Sequence, residues 1–153
     1  MRILTVCTGN ICRSPIAHGL LEQMAAEQQL NWQIDSAGTI GFHSGEAPDS
    51  RSIRVMQTHG IDISQQRSRK LRPTDFEEFD LILAFDHTHL EEMLQLSDTG
   101  QQHKIKMATF CHPKLKDQSF PDPYYGEYKD FEDVYEMLQV SMEELVKSYT
   151  CKK

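Results

Sequence analysis

The sequence predicts an α/β fold, a parallel sheet covered on both faces by helices. Three observations carry this. Short apolar runs alternate with longer segments whose apolar residues recur at helical spacing. The 153 residues are 39% hydrophobic and 25% charged, which suits one sizeable core and excludes wholesale disorder. No repeat, low-complexity tract or linker interrupts the alternation, so residues 1–153 read as a single domain.

The elements follow in order. Arg2 to Val6 reads as a short buried strand, and Cys7 to Arg13 as a turn-rich stretch. A helix runs from Ser14 to about Gln29, with Ser14 suited to the N-cap and Pro15 to the first helical position. Its apolar face is Ile16, Leu20 and Met24, four residues apart, with Ala17 and Leu21 beside them. Trp32 to Asp35 reads as a second strand, ending in Ser36-Ala37-Gly38-Thr39. Pro48 to Thr58 reads as a helix stopped by Gly60, Asp80 to Phe85 as a buried strand, and His87 to Leu96 as a helix. Lys104 to Phe110 reads as a fourth strand. A last helix, about Asp130 to Tyr149, carries Phe131, Val134, Tyr135, Leu138, Met142 and Leu145 at helical spacing.

Composition narrows the function. Sixteen basic against 23 acidic residues give a net charge of −7, which argues against general nucleic-acid binding. No apolar run approaches the roughly 18 residues of a membrane span, and Ile3 to Val6 is too short for an export signal. Four cysteines, at 7, 12, 111 and 151, are too few for a disulfide scaffold, so a reduced, cytoplasmic protein is expected.

Folds of this class bind ligands beyond the carboxyl ends of their strands. There the chain reads Cys7-Thr8-Gly9-Asn10-Ile11-Cys12-Arg13-Ser14, between a strand and a helix N-terminus, where an anion is favoured. Successive N–H groups in a tight loop can converge on one tetrahedral anion. Gly9 allows close approach and positive φ, and Asn10 tolerates the left-handed region. Arg13 can fork two donors onto two phosphate oxygens. The helix dipole, Arg13 and the amides each favour the thiolate of Cys7, an attacking nucleophile under a phosphoryl group. Ser14 is placed to hydrogen-bond that sulfur. The bland alternative is a buried strand-end cysteine beside a surface arginine. A Walker A loop is excluded, because Gly-Lys-Ser/Thr is missing.

Phosphoryl transfer to Cys7 needs an acid for the leaving oxygen. Asp122, in Phe120-Pro121-Asp122-Pro123-Tyr124-Tyr125-Gly126, is the best placed, in a loop stiffened by two prolines. Tyr124 and Tyr125 offer aromatic faces for a flat substrate. An ordinary Asp-Pro turn is the alternative.

Val6 to Pro15 resembles the signature of the low-molecular-weight protein tyrosine phosphatases, and Asp122 to Tyr125 resembles that family's acid loop. The resemblance extends to Asp35–Thr39, His59–Asp62, Arg67–Arg69 and Asp80–Asp86, and looks bacterial. It implies a four-stranded parallel sheet in the order 2-1-3-4. It also implies hydrolysis of phosphotyrosine through a cysteinyl-phosphate, with no metal or other cofactor and a phosphate or sulfate fitting the loop. Cys7 would be the nucleophile, Arg13 the phosphate clamp and Asp122 the general acid and base. Thr8, Gly9, Asn10, Ile11, Cys12 and Ser14 would form the phosphate loop. Asn10, Ser14 and Ser36 would support it, and Cys12 would be the reversible disulfide partner of Cys7. Ile11, Phe42, Tyr124 and Tyr125 would line the substrate slot. A tyrosine-phosphorylated protein is the implied partner, with a bacterial tyrosine kinase as one form of it, and the chain itself a monomer or weak homodimer.

Gln66, Phe85 and His89 depart from residues common in the family, His, Met and Asn respectively. Ile11 stands where members resembling protein-arginine phosphatases carry Thr, and leans toward an aryl phosphate. Arsenate reduction on a similar fold would need a closely spaced cysteine relay, but Cys111 and Cys151 lie 40 positions apart. A non-catalytic phosphopeptide binder is argued against by Cys7, Arg13 and Asp122 together. Arg67, Arg69, Lys70 and Arg72 read as a solvated basic face, with docking of acidic phosphopeptides as the sharper alternative. Cys111, His112, His87 and His89 match no zinc spacing.

Overall fold

Apart from Arg2, β1 (Arg2–Cys7) is buried, and it takes an inner position in the sheet. The computed structural model describes residues 1–151. β1 pairs in parallel with β2 (Gln33–Gly38) and with β3 (Leu81–Ala84), and β4 (Ile105–Met107) adds outside β3, giving the order β2-β1-β3-β4.

Strand alternation divides the core in two. Ile3, Leu81, Leu83 and Phe85 face α1 (Arg13–Glu27), α2 (Ser50–Thr58) and α5 (Tyr128–Thr150). Leu4, Val6, Ile82 and Ala84 face α3 (Asp75–Glu78) and α4 (His87–Leu96), meeting Phe76 and Met93. Gly19 lets α1 press against the segment after α2, because a Cβ there would lie 2.6 Å from Ile63 Cγ2. Among the described residues no helix is long and apolar enough to cross a membrane.

Several boundaries move. α1 starts at Arg13 with Cys12 as N-cap, so Ser14 and Pro15 lie inside its first turn. Ser14 does not cap because its hydroxyl is engaged with Cys7 and Asn10. α2 starts after Asp49, whose carboxylate caps it by accepting from Arg51 N at 2.9 Å. β2 runs on to Gly38, in register with Cys7. β4 is only three residues long. Lys104 closes a 3-10 turn (Thr99–Lys104), and Phe110 N turns back onto Met107 O, which ends the strand early. This turn and α3 have no counterpart in the sequence reading.

Candidate active site

Cys7 ends β1 and Arg13 begins α1, so the loop between them spans the carboxyl edge of the sheet and a helix N-terminus. Its carbonyls are drawn outward. Thr39 N donates to Cys7 O at 2.9 Å, Ile40 N to Thr8 O at 3.1 Å, and Asp49 N to Ile11 O at 2.8 Å. Ser68 Oγ donates to Gly9 O at 2.9 Å and Ser52 Oγ to Cys12 O at 3.2 Å. Among the described residues nothing accepts from the N–H groups of Gly9, Asn10, Ile11 or Cys12. Carbonyls tied back and amides left unpaired make an anion cradle.

Asn10, not Gly9, takes the left-handed backbone, at φ 57°. Its Oδ1 accepts from Arg69 N at 3.1 Å and its Nδ2 donates to Ser14 Oγ at 2.8 Å. The Ser14 hydroxyl therefore accepts from Asn10 and has its own proton free for Cys7 Sγ, 3.0 Å away. Gly9 instead makes room for His43, whose Cδ2 would sit 2.9 Å from a Cβ there.

The Arg13 side chain is 3% exposed. Its Nη1 donates to Asp86 Oδ2 and to Phe120 O, both at 3.2 Å, while its buried Nε has no partner. Nε and Nη2 therefore remain as a fork for two anion oxygens. Asp86 is shared, since its Oδ1 caps α4 by accepting from His89 N at 2.8 Å. His89 Nε2 meets Thr8 Oγ1 at 2.7 Å, and burial pushes its imidazole down to about 4 despite the Asp86 carboxylate. Its Nδ1 lies 3.3 Å from Asp86 Oδ1 without the alignment of a hydrogen bond.

Asp122 lies on an irregular loop, 3.6 Å from Arg13 Nη2, with Oδ1 accepting from Tyr124 N at 3.1 Å. Phe120 N donates to Phe85 O and their rings pack with centroids 5.6 Å apart, which anchors the loop's start. Gln66 Nε2 donates to Pro15 O at 3.2 Å and supports the first turn of α1.

The pocket is floored by Cys7, Cys12 and Arg13, and walled by Ile11, Ile40, His43, Asp122, Tyr124 and Tyr125. Phe42 differs from its expected place. It is 82% exposed, outside the lining, and stands edge-on to His43, which takes the wall itself. Ser36 also differs, because its hydroxyl meets His18 Nδ1 at 3.0 Å on α1 and not the loop. Burial first, then the charges of Cys7 and nearby carboxylates, push the Cys12 thiol well above its ordinary range. The residues grouped for a metal are engaged elsewhere, His87 with Asp117 O and His112 with the amides of Lys114 and Leu115.

Asp86, His43 and Arg51 escaped the sequence reading as parts of the site. An Asp immediately before a helix was an N-cap signal for Asp86. Nothing local marked the other two.

A family profile described as low molecular weight phosphotyrosine protein phosphatase matches residues 2–153. The human low molecular weight phosphotyrosine protein phosphatase is 38% identical over 137 residues, 88% of this chain and 86% of that protein. A crystal structure of a protein tyrosine phosphatase from Entamoeba histolytica superposes with TM-score 0.93 at 34% identity, covering 100% of this chain and 99% of that one. A Drosophila arginine phosphatase superposes with TM-score 0.93 at 27% identity over the full length of both chains. With human, amoebic and insect proteins among the matches, they establish the family and not a bacterial branch of it.

Proposed function

The chain belongs to the low-molecular-weight phosphotyrosine protein phosphatase family, and on that footing we propose how its residues divide the work. It is a protein-tyrosine-phosphatase of the metal-independent class. In our reading the Cys7 thiolate attacks phosphorus, and the bond to the tyrosine oxygen breaks. Asp122 gives its proton to the departing phenoxide, leaving phosphate on the sulfur. A water then attacks the cysteinyl-phosphate, the Asp122 carboxylate takes its proton, and inorganic phosphate and the thiolate are released. Arg13 and the unpaired amides hold the equatorial oxygens through both steps. Ser14 donates to the sulfur as it leaves. Cys12, beside Cys7 on the pocket floor, is proposed as the disulfide partner that shields Cys7 from over-oxidation.

The observation that carries this reading is a buried Arg13 Nε without a partner together with four loop amides, Gly9 to Cys12, without an acceptor, in the loop that Cys7 begins. The apolar Ile11 and the two tyrosines favour an aryl phosphate over a guanidino phosphate. Cys111, turned to Ser148 Oγ, is outside the pocket, which argues against an arsenate relay. The partner is then a tyrosine-phosphorylated protein, with a bacterial tyrosine kinase as one form of it. Cytoplasmic location, a bacterial-type lineage and a monomeric or weakly dimeric state complete the proposal, drawn from the signature and the reduced cysteines.

The test is hydrolysis of p-nitrophenyl phosphate with EDTA present. Wild type should turn over, and Cys7→Ser should lose turnover while retaining phosphate binding. Asp122→Asn should slow phenyl phosphate far more than p-nitrophenyl phosphate, because only the poorer leaving group needs the proton. Turnover by Cys7→Ser, or equal slowing of both substrates by Asp122→Asn, would remove the respective role.

A further inference from the structure

We propose that Arg51, which makes no hydrogen bond to the phosphate loop but holds the carbonyl of the pocket-wall residue Tyr124, is the positioning residue that sets the acid loop over the nucleophile. The inference rests on Asp122 being the general acid.

The anchor is α2. Its N-terminal end is docked onto the phosphate loop at two points, Asp49 N to Ile11 O at 2.8 Å and Ser52 Oγ to Cys12 O at 3.2 Å. Asp49 then grips Arg51 bidentately, accepting from Nε at 3.0 Å and from Nη2 at 2.9 Å. Burial works to raise the Asp49 carboxyl, but the bonds and charge of Arg51 outweigh it and hold it below the usual carboxylate range. The guanidinium is fixed from below as well, lying 4.3 Å over the Phe131 ring of α5.

From this anchored position Arg51 reaches into the acid loop. Nη2 donates to Tyr124 O at 2.9 Å and Nη1 to Gly126 O at 3.0 Å. The loop has no helix or strand of its own between Phe120 and the start of α5. Its other backbone anchor before Asp122 is at Phe120, whose N–H donates to Phe85 O and whose carbonyl accepts from Arg13 Nη1. Asp122 thus sits between a fixed point at Phe120 and a second at Tyr124, and its Oδ1 accepts from the N–H of the same Tyr124 whose carbonyl Arg51 holds. Arg51 therefore ties the helix end docked on the Cys7 loop to the loop that carries Asp122. A lysine could not replace the arrangement, because one ammonium cannot make a bidentate carboxylate pair and two carbonyl bonds in a plane.

The experiment compares kcat/KM, which reports the leaving-group step, for phenyl phosphate and p-nitrophenyl phosphate. It uses wild type, Arg51→Met, Arg51→Lys, Asp122→Asn and the double variant Arg51→Met/Asp122→Asn. Arg51→Met should lower the phenyl phosphate value roughly 10- to 100-fold, the cost of a misplaced catalytic group, and the p-nitrophenyl phosphate value several-fold less. Inhibition by inorganic phosphate should stay within about threefold, because the cradle's own donors are untouched. Arg51→Lys should fall between wild type and Arg51→Met. In the double variant Arg51→Met should add little to Asp122→Asn, since both remove the same proton transfer. Equal loss on both substrates, full additivity in the double variant, or wild-type phenyl phosphate turnover would overturn the inference while leaving Asp122 as the acid. A lack of leaving-group selectivity in Asp122→Asn itself would instead sink the acid assignment, and the inference with it. Should Arg51→Met lose its thermal transition, Arg51→Lys carries the same comparison.

Discussion

Gly38 provides the sharpest test of how the cradle is held. It ends β2 opposite Cys7, and a Cβ there would lie 2.6 Å from Thr8 O, 3.0 Å from Gly9 C and 3.1 Å from Asn10 N. All three atoms are backbone of the phosphate loop, so no flexible side chain can swing aside. Restoring an ordinary contact of 3.4 Å requires Thr8 O and the new methyl to separate by about 0.8 Å. Neither side is free to move. Gly38 N donates to Arg69 O and its carbonyl accepts from Leu71 N, both at 2.8 Å, while Thr8 O accepts from Ile40 N at 3.1 Å. Overpacking of this kind costs about 2 kcal/mol, or a fall of about 4 to 8 °C in melting temperature for a chain of this size. A shift approaching 1 Å in the converging amides should cost on the order of 10- to 100-fold in kcat/KM. Gly38→Ala should therefore weaken inhibition by inorganic phosphate alongside turnover. Gly41→Ala is the control, since a Cβ there meets nothing closer than 3.4 Å. Gly38→Ala with wild-type melting and phosphate inhibition would refute the claim that the strand end shapes the cradle.

Two further outcomes follow from the loop's supports. Asn10→Gly should lose one buried and one half-buried hydrogen bond and about 2 kcal/mol, whereas Asn10→Ala should lose about 1 kcal/mol more through the left-handed backbone. Thermal denaturation should rank wild type above Gly above Ala, and equal values for the two variants would show that φ 57° carries no strain. Buried His89 binds a proton less readily folded than unfolded, so the unfolded state takes up the extra proton below the ordinary value of 6.5. Stability from this group is therefore present above 6.5 and is lost as the pH falls from there toward about 4. Melting curves across that window should show a steeper decline for wild type than for His89→Asn, and parallel declines would reject the assignment.

Much of this molecule is legible one segment at a time. Hydrophobic spacing within α5 exposes the face that must be buried, and the apolar runs at β1 and β3 mark strands covered on both sides, whereas the first turns of α1 are buried on every side. The spacing of Cys7, Arg13 and Ser14 places a thiol, a cation and a hydroxyl around one turn, because a strand-to-helix loop of that length must bring them together. Such inferences succeed where the interaction is local in sequence, as Asn10 to Ser14 is. They fail where partners are set by how the loops close over the sheet. Arg13 meets Phe120 across 107 residues, Thr8 meets His89 across 81, and Arg51 meets Tyr124 across 73. The exchange of Phe42 for His43 at the wall depends on a contact with Gly9 more than thirty positions earlier in the chain. Residue type and spacing specified which chemistry the chain could perform. Only the packed fold decided which side chains aim it, because that depends on distances between segments that periodicity cannot measure.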